Sequence, residues 1–310
     1  MSDGRGKLEG EMIYRTLKRT GERVSAIGLG GFHIGAMENK ADAIKLVHAA
    51  IDRGINFMDN CWDYHDGKSE VWMGEALREG YRDKVFLMSK IDARDASTAA
   101  KQIDESLKRL QTEHIDLMQF HEIIRLADPE KVFAKGGALE AMLAAQKAGK
   151  VRYIGFTGHK SPEIHLKMLE VADKHEFAFD TVQMPLNLMD AHYDSFHQVI
   201  PQLVAKGIGV LGMKPIAAGK LMESKVVSGV ECLHYALSLP TSVVINGCDS
   251  MERLEQAFEA AKTFDRFTEE AKAQLLERVA PHASVGKLEE YKTTHEHDGT
   301  MKNPEWLGAA

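Results

Sequence analysis

The chain predicts an α/β fold in which eight parallel strands, each followed by a helix, close into a barrel. Three observations carry this expectation. Short apolar runs alternate with amphipathic helical segments, and no cluster of antiparallel strands interrupts them, which points to a parallel sheet. The runs are largely continuous in Val, Ile, Leu and Met, as suits strands covered on both faces. The length of 310 residues accommodates one barrel, since such folds run to about 250 residues and more with additions.

The elements follow in order. Runs at 13–17 and 23–27 flank Arg19-Thr20-Gly21-Glu22 and predict a short β-hairpin spanning 12–27. Buried strands are expected at 28–31, 57–60, 85–90, 117–121, 153–157, 181–184, 210–214 and 243–247. Helices are expected at 41–52, 98–110, 139–147, 162–174, 196–205 and 228–238. In the first of these, Ile44, Val47, His48 and Ile51 recur at helical spacing and form the expected core face. Glycines such as Gly149 and Gly207 punctuate the helix ends. A doubly wound open sheet is the structural rival. It would bind a dinucleotide through a glycine-rich turn after the first strand. Here Gly28-Leu29-Gly30-Gly31-Phe32-His33 lacks the third glycine at the required offset. The polar stretch 282–310 reads as an irregular tail that wraps the barrel and approaches its mouth, so that 1–310 forms one domain.

Bulk properties narrow the function classes. With 44% hydrophobic and 27% charged residues the composition is that of an ordinary globular protein. A formal net charge of −7 argues against a nucleic-acid binder, which needs a basic face. No apolar run approaches the ~20 residues that span a bilayer. The stretch from Met1 to Met12 has no apolar core of a secretory signal. Cys61, Cys232 and Cys248 are few, odd in number and widely spaced, which suits neither a disulfide framework nor a zinc ligand set. A reducing, cytoplasmic location is expected. His295-Glu296-His297-Asp298 reads as a surface tract, and no metal site is expected. The oligomeric state is left open.

Three polar residues break three consecutive apolar strands near their C-terminal ends: Asp59, Lys90 and His121. Tyr64 follows Asp59 by five residues, in the loop. Singly, each has an ordinary explanation, such as a helix-capping aspartate or a satisfied core histidine. Jointly they are harder to dismiss, because burying them unpaired is costly and pairing Asp59 with Lys90 relieves that cost. In a barrel these strand ends converge on one mouth, where catalytic groups gather.

These four residues give the sequence a specific resemblance. The segment Asn56-Phe57-Met58-Asp59-Asn60-Cys61-Trp62-Asp63-Tyr64 resembles the second-strand motif of the aldo-keto reductases, with Asp and Tyr at the same spacing. That family's lysine and histidine fall on Lys90 and His121, and the likeness covers nearly the whole chain. The resemblance implies reduction of a small carbonyl compound, with hydride from NADPH and a proton from Tyr64. A free tyrosine has a pKa of about 10, so the expectation is that the Lys90 cation lowers it. Asp59 is then expected to orient Lys90, and His121 to hydrogen-bond the substrate oxygen.

The resemblance also implies a cofactor site. Gln183 matches the family's carboxamide-holding glutamine, and Thr157 and Gly158 stand where the family has a Ser-Asn pair. Gly158 has no side chain to offer. Met213 replaces an aromatic ring that many relatives stack on the nicotinamide. The loop Lys214, Pro215, Ile216, Ala217 and Gly219 follows it, where the family clasps the pyrophosphate. Gly247 ends the last strand and leads into a helix, a suitable anion site. Arg253 aligns with the arginine that grips the adenosine 2′-phosphate, with Gln256 beside it. Asp249 or Ser250 replaces a further basic residue, so NADH stays open beside NADPH. The alternative partner for Arg253 is Asp249, four positions earlier. Gly31 and Phe32 are expected beneath the cofactor. Phe32, Trp62 and His121 are expected to line the substrate pocket, with Trp306 from the tail a further candidate.

Two other readings use the same residues. Lys90 could form a Schiff base, but Asp59 beside it opposes the lowered pKa that this needs. The chain could instead be a cofactor-binding regulatory subunit that senses redox state.

Overall fold

The structure is a computed structural model that describes residues 5–308. Strands β1 (Lys7–Glu9), β2 (Met12–Thr16) and β3 (Arg23–Ser25) form a small antiparallel sheet. The predicted hairpin is thus present, with one further strand at its edge. Eight strands then close a parallel barrel: β4 (Ile27–Gly30), β5 (Phe57–Asp59), β6 (Phe86–Ile91), β7 (Ile115–Phe120), β8 (Val151–Thr157), β9 (Thr181–Pro185), β10 (Gly209–Met213) and β11 (Val243–Gly247). All eight coincide with the apolar runs read from the sequence, displaced by at most two residues at an end. In β6 and β7 every residue is buried, as expected of strands with helices outside and a packed lumen inside.

Alternation along the strands builds both the core and the site. Side chains at every second position face inward. Phe57, Phe86, Met88, Leu117, Leu211, Val243 and Ile245 fill the lower lumen. Leu17 and Val24, contributed by the N-terminal sheet segment, join the same cluster from below. That end is therefore plugged. Two residues further along, the same parity reaches Asp59, Lys90, Gln183 and Met213 at the opposite rim.

The helices outside carry side-chain caps at Asn39, Asp95, Ser161, Ser228 and Ser250. Each such cap contributes about 1 kcal/mol. The helix Lys40–Asp52 departs from its sequence reading in phase. Ala43, Leu46, Val47, Ala50 and Ile51 are buried, whereas Ile44 and His48 are only half-buried. Small alanines let the helix approach the sheet closely, so the face centres on them and not on the larger Ile44. The segment predicted as one helix at 196–205 is a 3-10 turn, Phe196–Gln198, followed by a short helix, Ile200–Ala205, with Pro201 at its first turn. Among the described residues no helix is long and apolar enough to cross a membrane.

The tail does reach the mouth. Its short helices Glu290–Thr293 and Gly299–Lys302 and the 3-10 turn Pro304–Leu307 lie against the loops after β6, β7 and β8. Glu122 accepts from the backbone amides of Gly299 (2.8 Å) and Thr300 (2.7 Å). Lys292 is buried between Asp190 (2.7 Å) and Glu289 (3.1 Å). Of the predicted surface tract, His295, Glu296 and His297 are exposed, but Asp298 is fully buried. It is held by His159 (2.9 Å), Lys160 (2.9 Å) and His295 (2.7 Å). That set of partners lowers its pKa below the usual carboxylate range, outweighing the effect of burial.

Candidate active site

The four polar residues at the strand ends do meet. Lys90, fully buried, has an ion pair with Asp59 and donates to the Asn60 carbonyl at 2.6 Å. Its ammonium also lies 3.2 Å from the Tyr64 hydroxyl. Asp59 holds the ammonium with one oxygen and accepts from Gln183 Nε2 at 3.0 Å with the other. Strand β5 supplies Asp59, β6 supplies Lys90 and β9 supplies Gln183, so the chain of contacts crosses the lumen.

His121 is the first residue past β7, and its amide still donates to the Ile91 carbonyl at 2.7 Å, which fixes its backbone on the ladder. Its ring meets that of Tyr64 edge to face, 5.8 Å between centroids. Nδ1 faces Asp92 Oδ1 at 2.9 Å, while no hydrogen bond within the described protein engages Nε2. Phe32, half exposed, meets the Tyr64 ring at 5.3 Å from the other side. Trp62 is pinned through its indole N–H to Glu105 at 2.7 Å and meets Trp306 of the tail at 5.8 Å. Phe32 thus stands against Tyr64, while Trp62 and Trp306 stand against each other.

One expectation is overturned. Lys90 does not bring the Tyr64 pKa below its ordinary value. Burial raises it well above the ordinary tyrosine value, and Asp59, Cys61, Asp63 and Glu122 add to the effect. The Lys90 charge is already committed to Asp59, so the phenol faces a neutral pair and further acidic groups. It is held as a protonated donor. Around His121, burial disfavours the imidazolium, but Asp63, Asp92 and Glu122 together outweigh it and raise the pKa. Asp63 is itself pushed up to about 7 by burial and by Asp92.

The cofactor candidates line the same mouth and a cleft beside it. Thr157 ends β8, and its hydroxyl lies 3.9 Å from the Met213 sulfur at the end of β10. After β10 the backbone takes positive φ at Lys214 (53°), Ala217 (49°) and Ala218 (54°), a left-handed run in which non-glycine residues are uncommon. Ile216, Gly247, Arg253 and Gln256 line a shared cleft with Met222, Gly229, Leu233 and Asn246. Arg253 donates to Gln256 at 3.0 Å, so its partner is Gln256 and not Asp249. Gly31 opens the helix after β4, where a Cβ would lie 2.6 Å from the Asp59 carbonyl oxygen. Only glycine allows that approach. Gly158 is equally constrained, because a Cβ there would lie 2.3 Å from the Ile123 carbonyl oxygen. The departure from a Ser-Asn pair therefore has a packing cause. Pro215 and Gly219 stand in the same loop.

Comparison with known proteins places this arrangement. A family model described as the Aldo/keto reductase family matches residues 26–229. The chain belongs to the aldo/keto reductase family. Aldo-keto reductase YhdN of Bacillus subtilis (strain 168) is 32% identical over 243 residues, 72% of this chain and 69% of its own. L-galactose dehydrogenase of Arabidopsis thaliana is 28% identical over 67% of each chain. Among solved structures, aldo-keto reductase AKR11C1 from Bacillus halodurans, in its holo form, superposes with a TM-score of 0.74. That match has 20% sequence identity and covers 90% of this chain and 100% of that one, and it shows the fold.

Membership makes the chain a carbonyl-reducing oxidoreductase that works with a nicotinamide cofactor. The mouth fits such a group on its own chemistry. Gln183 is buried, and its Oε1 has no partner while Nε2 is spent on Asp59. A carboxamide N–H would satisfy that orphan acceptor. In the reductase, sequence reasoning missed Asp63, Asp92, Glu122 and Asp298. The first three stand one or two residues from Tyr64, Lys90 and His121, so a signal was present. Asp298 had none, since only the folded tail brings it to His159.

Proposed function

We propose that this reductase converts an aldehyde or ketone to the alcohol with NADPH, and that Tyr64 delivers the proton. The observation that carries the reading is the Lys90 ammonium placed 3.2 Å from the Tyr64 hydroxyl. When bound, the cofactor supplies hydride to the carbonyl carbon. The chain's own residues handle the oxygen. Tyr64 releases its proton toward that oxygen, and Lys90 faces the phenolate as it forms. Asp59 and the Asn60 carbonyl hold Lys90 in place. The free Nε2 edge of His121 is available as a second donor to the oxygen. Acid catalysis of this kind contributes about 10²–10⁴-fold. Gln183 and Thr157 orient the carboxamide. Arg253, flanked by Gln256, takes the 2′-phosphate through paired donors, which supports NADPH over NADH.

The engagement of Lys90 by Asp59 opposes a Schiff-base mechanism. The test is a fluorescence titration with NADPH and with NADH, followed by a turnover assay on a carbonyl panel. Tighter binding of NADPH with aldehyde turnover is expected. Binding without turnover on any carbonyl would favour the regulatory reading. Tighter binding of NADH would remove the role given to Arg253.

A further inference from the structure

Beside Tyr64 and Lys90 lies a second cluster, which shares His121 with the catalytic site and adds three groups that the reduction itself does not use. Cys61, Asp63, Asp92 and His121 each present a donor atom, and all four atoms lie within 4.8 Å of one another. Three groups approach a single atom, His121 Nδ1. Asp92 Oδ1 is 2.9 Å from it, Cys61 Sγ 3.2 Å and Asp63 Oδ1 3.6 Å. A ring nitrogen carries one proton or one lone pair, so it serves one partner at a time.

The hydrogen-bond accounting leaves orphans. Asp92 is fully buried and its Oδ2 has no partner; Asp63 Oδ1 is also buried and unpartnered. Buried carboxylates are ordinarily satisfied. The neighbouring cations are already engaged. Arg94 donates to the carbonyls of Asp92, His121 and Glu122, and its Nε lies 3.3 Å from Asp128 as an ion pair. Lys90 is held by Asp59. Glu122 adds a third carboxylate, but the amides of Gly299 and Thr300 occupy its oxygens.

We propose that Cys61, Asp63, Asp92 and His121 Nδ1 bind one divalent transition-metal ion of the zinc class. Thiol, imidazole and carboxylate donors suit a borderline ion, whereas calcium and magnesium take oxygen ligands. Zinc bonds of about 2.0–2.3 Å place the donors of a tetrahedron about 3.3–3.8 Å apart. Of the separations from Nδ1, 3.6 Å falls in that range and 2.9 and 3.2 Å lie just below it, so closure needs only side-chain adjustment. Binding breaks the Cys61 S–H bond, forms a sulfur–metal bond and releases the proton to solvent. Metal on Nδ1 fixes the His121 tautomer with its proton on Nε2, the edge left free for a substrate oxygen. The ion would thus orient His121 without touching substrate. Its ligands come from three separate loops, which is why sequence spacing gave no ligand set. The proposal does not depend on NADPH or on Tyr64.

The test uses the full chain, stripped with chelator and titrated with Co²⁺. One equivalent should bind, with a thiolate-to-cobalt charge-transfer band and visible bands of tetrahedral intensity. Zn²⁺ should displace it. Cys61→Ser should abolish the charge-transfer band, and Asp92→Asn should weaken binding at least tenfold. Cys232→Ser and Cys248→Ser should leave the spectrum unchanged. Circular dichroism and cofactor titration check that each variant folds. Should Cys61→Ser not fold, Asp63→Asn takes its place, with the same tenfold loss expected. Absence of a saturable cobalt spectrum in the wild-type chain would overturn the proposal. So would a spectrum that survives both Cys61→Ser and Asp92→Asn.

Discussion

Removing the charge of Asp59 separates what its pair with Lys90 does for stability from what it does for chemistry. In Asp59→Asn the Lys90 ammonium keeps the Asn60 carbonyl at 2.6 Å and the Tyr64 hydroxyl at 3.2 Å but loses its counter-charge. Lys90 is 1% exposed, so water cannot replace the carboxylate. Removing one member of a buried pair costs about 3–5 kcal/mol, because the other charge is left uncompensated. At about 2 °C per kcal/mol for a chain of this size, the midpoint should fall by ~6–10 °C. Lys90→Met should cost a similar amount, since Asp59 then retains only Gln183 at 3.0 Å. The double variant Asp59→Asn/Lys90→Met buries no charge at this point. Replacing both members of such a pair is close to neutral, so it should recover most of the loss. Urea denaturation of the four proteins, without cofactor, completes a double-mutant cycle. Stability should return in the double variant while carbonyl reduction stays lost. Single costs below about 1 kcal/mol, or costs that simply add, would show that the pair is not the uncompensated unit described.

Lys214 makes a second case. Burial, opposed mainly by Glu122, lowers its pKa to about 8, and the ring of Tyr291 lies 5.3 Å from its nitrogen. Its charged form, present below that value, is the one able to attract cofactor phosphates. Cofactor affinity should therefore fall as pH rises through about 8, and Lys214→Met should flatten that dependence in a titration from pH 6 to 9. Because the folded pKa is below the unfolded one, the unfolded chain binds more protons between them, and Lys214 makes stability rise with pH across that window. Gly158→Ser should destabilise the chain by about 1–3 kcal/mol, as its Cβ must displace the Ile123 carbonyl oxygen 2.3 Å away. Chemical denaturation measures it, and an unchanged midpoint would contradict the close packing assigned there.

How far the sequence could be read follows from what each element depends on. The barrel strands are buried on both faces, and continuous apolar runs record that locally. Asp59, Lys90 and His121 were legible because a polar residue in such a run must be paired or functional. The helix Lys40–Asp52 was misread in phase because alanine contributes little to an apolar pattern yet packs closest. The direction of the Tyr64 shift was not legible at all. It depends on Asp63, Glu122 and the neutralising pair with Asp59, and those are set by loop paths. The tail was legible as irregular and as reaching the mouth, but not its contacts, since Asp298, Glu122 and Trp306 acquire their partners from segments more than a hundred residues away.

Single-turnover hydride transfer in Tyr64→Phe, followed by the loss of NADPH absorbance, addresses the phenol most directly. The variant keeps the ring between Phe32 and His121 and deletes only the hydroxyl beside Lys90. The rate should fall by about 10²–10⁴-fold while the dissociation constant for NADPH stays within a few-fold of wild type. Transfer at the wild-type rate would mean that the proton comes from another group.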